Sequence, residues 1–291
     1  MHQFDIVIPV SYKDCWFLRR NIPYMRKHLQ GCAAIYVLTN PICFRELSDD
    51  FCDKWDIRKI DENALLPDLK YSAVRNVLAK SGRVAMTGWY FQQFLKMAFA
   101  LSDYAKDYYL IWDADTIPTN DISFFDGDVM LVNPKKENHT PYFETINKLF
   151  GIKKQANYSY ISEHMMVKTL VMAELVRSLG DNWWLQILQE ADVAHHKQAF
   201  SEFETYGTYC AYHYPNMYKS RHLSTLRMGG SLFGRHVSEK ELKRLSIDFD
   251  TVSFERGEKP MFPRSVMWYA HRLYIEGKYR FLQWVKSKDR R

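Results

Sequence analysis

Apolar residues occur in the first 120 positions as short continuous runs that alternate with segments of helical spacing. Segments 11–29 and 83–106 carry the three- and four-residue spacing of amphipathic helices. Four runs, FDIVIPV, AAIYVLTN, WDIRKIDEN and YYLIWDADTIP, predict strands at residues 4–10, 33–40, 55–63 and 108–118. Continuous apolar strands separated by helices indicate right-handed βαβ units and a mostly parallel sheet that is covered on both faces.

The pattern becomes mixed after residue 118. The run ISFFDGDVMLVNP predicts a pair of strands that turn at Asp126-Gly127, and segment 216–236 is interpreted as irregular. Four more segments predict helices, at residues 141–152, 168–180, 181–191 and 201–215. We therefore predict an α/β protein with one domain over residues 1–258 and a C-terminal helical extension over residues 259–291.

Composition narrows the class of protein. Hydrophobic residues make up 47% of the chain and charged residues 25%, which is typical of a soluble globular protein. The five cysteines form no CxxC pair, so we expect reduced thiols rather than a zinc site or a disulfide framework. No basic segment precedes the first strand and no apolar run reaches about 18 residues, so we predict a cytoplasmic protein without signal peptide or membrane span.

The net charge of +6 is concentrated toward the end of the chain. From Lys259 onward, lysine and arginine are interleaved with tryptophan, tyrosine and phenylalanine. Two interpretations fit this segment. One is a helix that makes peripheral contact with an anionic membrane surface. The other is a helix that packs its aromatic face on the core and leaves a basic end in water. No nucleic-acid-binding motif accompanies the charge, so we do not expect nucleic acid as a partner.

The run YYLIWDADTIP carries the clearest chemical signal, because a buried strand leads directly into two carboxylates. If the strand continues through Asp113 and Asp115, both side chains lie on the same side. Two carboxylates this close repel each other unless a cation neutralises them. Carboxylates and substrate phosphates together are the usual ligands of Mg²⁺ or Mn²⁺ in proteins, which suits a nucleoside-diphosphate donor.

This run resembles the DxD motif of GT-A glycosyltransferases. Together with GWYFQQFLKM, WDADT, SEHMMV and SEFETYG, it is similar to a bacterial-type group of polysaccharide glycosyltransferases known mainly as a domain of unknown function. The resemblance covers residues 4–236. It implies a Rossmann-like GT-A fold in which residues 1–120 bind a nucleotide sugar and residues 121–258 bind the acceptor. It also implies transfer of a hexosyl or pentosyl unit to a glycan or glycolipid hydroxyl, in polysaccharide or lipopolysaccharide-type synthesis, with Mn²⁺ or Mg²⁺.

The resemblance implies roles for individual residues. Asp113 and Asp115 would bind the metal and the donor, and a late histidine would be the third metal ligand. The candidates for that ligand are His213, His222 and His236. The remaining donor-site candidates are Pro9, Val10 and Thr39 near the base, Gln93 and Lys96 near the phosphate or sugar, and His164 near the diphosphate or acceptor. Further candidates are Arg221, Arg227 and Arg235 as phosphate clamps, and Trp183 or Trp184 as a platform for a sugar ring.

The motif SEFETYG contains two candidates for the general base. Ser201 and Glu204 have the S-x-x-E spacing of a capping box, which would start a helix and give Glu204 a structural role. Glu202 in the first turn is then free to face the crevice. A base that takes the acceptor proton is typical of inverting enzymes. We favour Glu202 over Glu204 and inversion over retention.

Two other functions are compatible with the sequence. A strand followed by D-x-D also opens phosphatases of the haloacid dehalogenase type, in which the first aspartate is a nucleophile. More than 100 residues precede the motif here, and Asp126-Gly127-Asp128 follows too closely to be the later acidic pair of such enzymes. The second alternative is a protein that binds nucleotide or glycan without turnover.

Overall fold

The computed structural model describes residues 2–288, which form eleven strands and eleven α-helices. The strands are β1 (Phe4–Pro9), β2 (Cys32–Thr39), β3 (Ile57–Asp61), β4 (Tyr108–Trp112), β5 (Thr116–Pro118), β6 (Phe125–Asp126), β7 (Val129–Val132), β8 (His164–Lys168), β9 (Tyr218–Ser220), β10 (Thr225–Leu226) and β11 (Thr251–Ser253). The helices are α1 (Tyr12–His28), α2 (Asp49–Trp55), α3 (Tyr71–Lys80), α4 (Thr87–Ala98), α5 (Thr140–Phe150), α6 (Thr169–Ser178), α7 (Trp183–Glu190), α8 (Glu202–His213), α9 (Gly229–Phe233), α10 (Glu239–Leu245) and α11 (Arg264–Lys288).

A five-stranded sheet with the order β3-β2-β1-β4-β8 forms the centre of the protein. The first four strands are parallel, and β8 pairs antiparallel with β4, with Tyr109 opposite Val167. The predicted fold class, a mixed but mostly parallel α/β sheet flanked by helices, is confirmed. The strand β8 was not predicted, because its sequence HMMVK was considered only as part of a motif.

Side chains of the central strands alternate between two apolar cores. In β1, Val7 packs toward the core that holds α4, α6 and α8, whereas Ile6 and Ile8 pack toward the core that holds α1. In β4, Tyr109 packs in the same core as Val7, and Trp112 packs in the same core as Ile6 and Ile8. This double burial explains why the strands are apolar at consecutive positions rather than at alternate ones.

Two smaller sheets extend the second half of the domain. One has the order β10-β11-β5 and the other β6-β7-β9. The predicted strand pair is confirmed, since Asp126 pairs with Val129 and Gly127 occupies the turn with φ +61°. The interpretation of 216–236 as irregular is wrong. Its strands pair with β7 and β11, which lie far away in the sequence, so no local periodicity marks them.

Helix boundaries differ from the predictions in two places. The segment 83–106 contains the 12-residue helix α4 between two short 3₁₀ turns, and the second turn ends at Leu101. There the Ser102 hydroxyl donates to the Phe99 carbonyl at 2.7 Å, a local bond that ends the helical ladder. The second difference concerns α2 and α3, which were missed; α2 lies between the second and third predicted strands, and α3 lies between the third strand and segment 83–106.

The predicted C-terminal helix is present as α11, a helix of 25 residues. Its buried residues are Trp268 and Ile275, which lie seven residues apart and therefore on the same face of the helix. Within residues 2–288, none of the helices is both long enough and apolar enough to cross a bilayer.

Candidate functional site

The two aspartates of the D-x-D motif lie in a tight turn and not in an extended strand. Strand β4 ends at Trp112, and the Thr116 N–H donates to the Asp113 carbonyl at 3.1 Å, which closes the turn. Asn21 of α1 donates to the Ala114 carbonyl at 2.7 Å and holds the turn in place. The predicted two-residue alternation across Asp113 and Asp115 is therefore wrong, although both side chains still reach the same crevice.

That crevice has a volume of about 1150 Å³ and lies at the carboxyl ends of the four parallel strands. This edge of an open α/β sheet is where ligands normally bind. The strand ends contribute Pro9 and Val10, Asn40, Glu62 and the D-x-D turn, while α4 and the start of α8 form another wall. Tyr279 of α11 also lines the crevice, so residues from the C-terminal segment take part in the site.

Lys96 is the centre of the polar network in this crevice. It is 2% exposed, and its Nζ lies 2.8 Å from Asp113 Oδ1 and 2.8 Å from Glu202 Oε1. The ammonium also lies 4.7 Å from the centre of the Phe203 ring. Burial opposes the charged form, but the two carboxylates outweigh it and raise the pKa of Lys96 above its ordinary value. The lysine therefore joins the D-x-D turn to the first residue of α8 as a permanent cation.

Glu202 enters this network because α8 begins at that residue. Gln93 of α4 accepts from the Glu202 N–H at 3.1 Å through Oε1 and donates to the Trp89 carbonyl at 3.1 Å through Nε2. Gln93 thus fixes the start of α8 against α4, and Gln93, Lys96 and Glu202 all line the crevice. Among residues 2–288, no group hydrogen-bonds the second carboxylate oxygen of Glu202, which leaves that oxygen available to a ligand.

Glu204 has a different environment. The Ser201 hydroxyl accepts from the Glu204 N–H at 3.3 Å, as the S-x-x-E spacing predicts, but the Glu204 carboxylate accepts from Ser159 instead of returning to the cap. The predicted reciprocal capping box is therefore only half formed. Burial raises the pKa of Glu204, and this residue lies outside the lining of the crevice.

The environment of Asp115 disfavours its charged form. Burial, followed by repulsion from Asp113 and Asp14, raises the pKa of the Asp115 carboxyl to about 7. A divalent cation beside the turn would relieve this repulsion, and one or two carboxylates with substrate phosphates suit Mg²⁺ or Mn²⁺. The donor chemistry of Asp113 and Asp115 thus fits a metal. Within the described chain, no group of three or more His, Cys, Asp or Glu residues is arranged to hold one.

The predicted histidine ligands lie away from the aspartates. His213 is at the last residue of α8, about 16 Å along the helix axis from Glu202, and packs against Tyr209 with ring centroids 4.3 Å apart. His236 stacks on Trp16 at 5.1 Å. Neither histidine lines the crevice, and the exposed His222 does not line it either. The structure does not bring His213 or His236 to the aspartates, because position late in the chain says nothing about which side chains face the crevice.

His164 is a core residue and does not contact the crevice. Its ring stacks on Trp112 at 5.1 Å and meets the edge of Phe124 at 5.6 Å. Burial, with smaller contributions from Arg221 and Lys135, lowers the pKa of His164 well below its ordinary value. The structure therefore does not place His164 where the predicted diphosphate or acceptor contact would be.

The nucleotide end of the crevice is built from the first two strands. Pro9 and Val10 line it as predicted. Thr39 is fully buried and donates to the Val10 carbonyl at 2.6 Å, so it supports Val10 and does not face a ligand. Tyr12 and Tyr279 close this end, with ring centroids 5.1 Å apart.

The other end of the crevice contains a charged cluster that sequence reasoning missed. Glu163 is 4% exposed, and its carbonyl accepts from the Asp113 N–H at 3.0 Å. Arg227 Nε lies 3.2 Å from Glu163 Oε1, and the same guanidinium pairs with Glu137 and approaches Glu255 at 4.0 Å. Glu163 belongs to the motif SEHMMV, which pointed to the neighbouring histidine. Glu137 and Glu255 carried no signal in the sequence.

Several other candidates are placed elsewhere by the structure. Of the three predicted arginines, Arg227 lines the crevice, whereas Arg235 pairs with Asp14 at 2.8 Å and Arg221 covers the ring of Phe124. Trp183 and Trp184 are buried in the core. Asp126 and Asp128 are exposed, and they pair with Lys219 and His2 respectively.

Three solved structures of glycosyltransferases superpose on this chain. Mouse xyloside xylosyltransferase 1, in its apo form, superposes with a TM-score of 0.47 and 9% identity, over 89% of this chain and 99% of that one. GlyE, a glycosyltransferase of Streptococcus pneumoniae TIGR4, superposes with a TM-score of 0.46 and 11% identity, over 99% of this chain and 64% of that one. The bifunctional glycosyltransferase WbbM superposes with a TM-score of 0.45 and 12% identity, over 88% of this chain and 46% of that one.

In sequence, no curated protein matches the chain. Residues 1–232 match a family that is described as a family of unknown function, DUF6492. This match covers well over half of the 291 residues. The chain therefore belongs to the DUF6492 family.

Proposed function

We propose that this protein is a metal-dependent glycosyltransferase that uses a nucleoside-diphosphate sugar. One observation carries the proposal: Lys96 joins the D-x-D turn to Glu202 inside a single large crevice at the carboxyl edge of a parallel sheet. The arrangement supports binding of a diphosphate at Asp113 and Asp115, with a carboxylate on the opposite wall. Metal-dependent, inverting glycosyl transfer from a nucleoside-diphosphate donor uses these two elements.

The donor would lie along the strand ends. The nucleotide would contact Pro9 and Val10, with Tyr12 and Tyr279 supplying aromatic surface beside the base. Asp113 and Asp115 would hold Mg²⁺ or Mn²⁺, which neutralises the charge that develops on the leaving diphosphate. The ammonium of Lys96, already held by two carboxylates, is a fixed positive charge next to that group.

Glu202 is the proposed general base. Its Oε1 accepts from Lys96, so the carboxylate has a fixed orientation, and its other oxygen has no protein partner among residues 2–288. In the displacement, the acceptor oxygen forms a bond to the anomeric carbon while the bond to the diphosphate breaks. Glu202 takes the hydroxyl proton, and the anomeric configuration inverts.

The acceptor would bind at the end of the crevice that contains Arg227 and its three carboxylates. Carboxylates and a guanidinium are suited to hydrogen bonds with sugar hydroxyls. The resemblance described above favours a glycan or glycolipid acceptor in polysaccharide or lipopolysaccharide-type synthesis, and a hexosyl or pentosyl donor. The proposed organisation has a nucleotide-sugar half at residues 1–120 and an acceptor half at residues 121–258.

The test is a thermal-shift screen of nucleoside diphosphates and sugar nucleotides with and without Mn²⁺, followed by donor turnover with the stabilising compound. Asp113→Asn, Asp115→Asn and Glu202→Gln should each lower turnover by about 10²-fold or more, while folding is retained. Asp126→Asn, at an exposed acidic residue outside the crevice, is the matched control and should be fully active. Normal turnover by the Asp113 or Asp115 variant, or in excess chelator, would refute the metal site.

Two outcomes would favour the alternatives. Hydrolysis of an aryl phosphate without any nucleotide requirement would indicate a phosphatase of the haloacid dehalogenase type. Metal-dependent nucleotide binding with neither transfer nor donor hydrolysis, over a panel of glycan and glycolipid acceptors, would indicate a binding protein.

A further inference from the structure

Helix α11 has one face on the protein and one face in water, and both are apolar. On the inner face, Trp268 and Ile275 are buried, and Tyr279 and Leu282 pack against the core around β1 and α1. The outer face of the helix carries large apolar side chains that are more than half exposed. Their exposed fractions are 63% for Val266, 66% for Met267, 54% for Leu273, 65% for Tyr274, 60% for Phe281 and 53% for Trp284.

The outer apolar residues form a stripe along one side of the helix. Positions 266, 270, 273, 277, 281 and 284 recur at three- and four-residue spacing; they are Val, Ala, Leu, Gly, Phe and Trp, so the stripe narrows at the glycine. Met261 and Phe262, just before the helix, are also exposed, by 61% and 82%. Exposed apolar residues gathered on one side of a helix mark an interaction surface, since single exposed apolar residues are common but grouped ones are not.

Positive charge accompanies the stripe. Between Arg264 and Lys288 the helix contains six lysine and arginine residues and one glutamate. Three of the six are ion-paired with Glu241, Glu276 and Glu46. The other three, Arg280, Lys286 and Lys288, have no ion-pair partner within residues 2–288 and lie in the last three turns. Arg280 and Lys288 are exposed beside the stripe, whereas Lys286 is half-buried on the inner face near Asn40 and Asp61.

This charge decides between possible partners. A second copy of the chain would bring an identical basic helix to the same stripe, because a two-fold contact pairs each surface with itself. The like charges would then repel. An anionic bilayer offers acyl chains to the aromatic and aliphatic residues and phosphate groups to the flanking lysines and arginines.

The same helix forms part of the crevice. Tyr279 lines the nucleotide end and packs on Tyr12, and the adjacent Lys278 pairs with Glu46. The outer face of α11 is therefore only one helix diameter from the crevice, which is about 10 Å. A bilayer bound to that face would lie next to the crevice.

We propose that α11 docks the protein on an anionic lipid bilayer through this stripe and holds the crevice beside the membrane surface. If the glycosyltransferase function proposed above is correct, the bilayer lies beside the nucleotide end of the crevice. The docking itself does not depend on that function, because it is carried by the apolar stripe and the exposed basic residues Arg280 and Lys288.

Co-sedimentation of the full chain with vesicles tests the docking. The chain should bind vesicles of phosphatidylcholine mixed with phosphatidylglycerol and should bind pure phosphatidylcholine much more weakly. Replacing Leu273, Phe281 and Trp284 together by Ser should reduce binding more than about tenfold, and so should replacing Arg280 and Lys288 by Glu. Leu170→Ser, at an apolar residue of α6 that is 71% exposed, is the matched control and should bind like the wild type.

Three results would overturn the proposal: equal binding to neutral and anionic vesicles, undiminished binding by the triple serine variant, or a wild-type dimer in solution that the triple variant makes monomeric. A thermal-shift titration with nucleotide separates this proposal from the proposed function. The triple variant should respond to nucleotide like the wild type. Vesicle binding without any nucleotide response would refute the donor site and leave the docking standing.

Discussion

The bridge formed by Lys96 leads to the sharpest prediction. Lys96→Met removes a buried cation that lies 2.8 Å from each of two carboxylates and leaves both without compensation. The two carboxylates differ in exposure: the Glu202 side chain is 5% exposed and the Asp113 side chain 34%. Most of the cost therefore arises from Glu202, because water can solvate Asp113 in the variant.

The magnitude follows from the burial of Glu202. Removing one partner of a buried ion pair costs about 3–5 kcal/mol, so Lys96→Met should lower the free energy of unfolding by about 4 kcal/mol. Glu202→Gln keeps Lys96 paired with Asp113 and should cost about 1 kcal/mol. The double variant contains no buried unpaired charge and should cost about 2 kcal/mol, so the coupling energy of the pair is about 3 kcal/mol.

Urea unfolding of the four proteins measures this coupling. In thermal unfolding, about 4 kcal/mol corresponds to a Tm lower by roughly 6 °C for a chain of 291 residues. The same cycle on Lys219 and Asp126, an ion pair at 2.5 Å with both side chains more than half exposed, is the control and should give less than about 1 kcal/mol. Additive effects of Lys96→Met and Glu202→Gln, within about 0.5 kcal/mol, would refute the bridge.

Three further predictions concern pH and packing. Because the pKa of buried His164 lies well below 6.5, the free energy of unfolding should fall as pH decreases through 6.5. His164→Leu should make that fall less steep in urea unfolding at a series of pH values. An unchanged pH dependence would contradict the burial of a neutral His164. Gly207→Ala places a Cβ 2.1 Å from the Tyr160 ring and should cost about 3 kcal/mol in thermal unfolding, whereas the helical control Gly88→Ala, with open space around its Cβ, should cost nothing. Burial chiefly raises the pKa of Glu62 to about 7, so between pH 4.5 and 7 the folded state holds a proton that the unfolded state releases, and stability falls as pH rises through this range. Glu62→Gln should therefore be more stable than wild type by about 1 kcal/mol at pH 8 and equal to it at pH 4.

Much of the fold was predictable because its signals are local. The four parallel strands and the helices α1, α5, α6, α7 and α8 appear as apolar runs or helical spacing, and they were found within a few residues. The same local patterns located the strand pair at Gly127 and the helix at the C-terminus. Some of the missed elements are short, such as β9 and β10, or polar, such as α2, and the strands β9 and β10 owe their structure to distant partners. The strand β8 and the helix α3 are neither, and they were missed because no strand or helix was assigned to their segments.

The candidate site shows the same division. The sequence alone indicated Asp113 and Asp115 as an acidic pair at a strand end and Glu202 as a residue of a helix start, because these are properties of neighbouring residues. It could not indicate that the D-x-D segment turns, that Lys96 bridges to a glutamate 106 residues later, or that Glu163 and not His164 faces the crevice.

The sequence by itself therefore determined the class of fold, the edge of the sheet that carries the acidic motif, and the amphipathic character of the last helix. These properties follow from periodicity and from the chemistry of adjacent side chains. Only the tertiary structure decided which residues meet at that edge and which face of α11 stays in water. Such contacts depend on the packing of segments far apart in the chain, and no pattern within one segment records them.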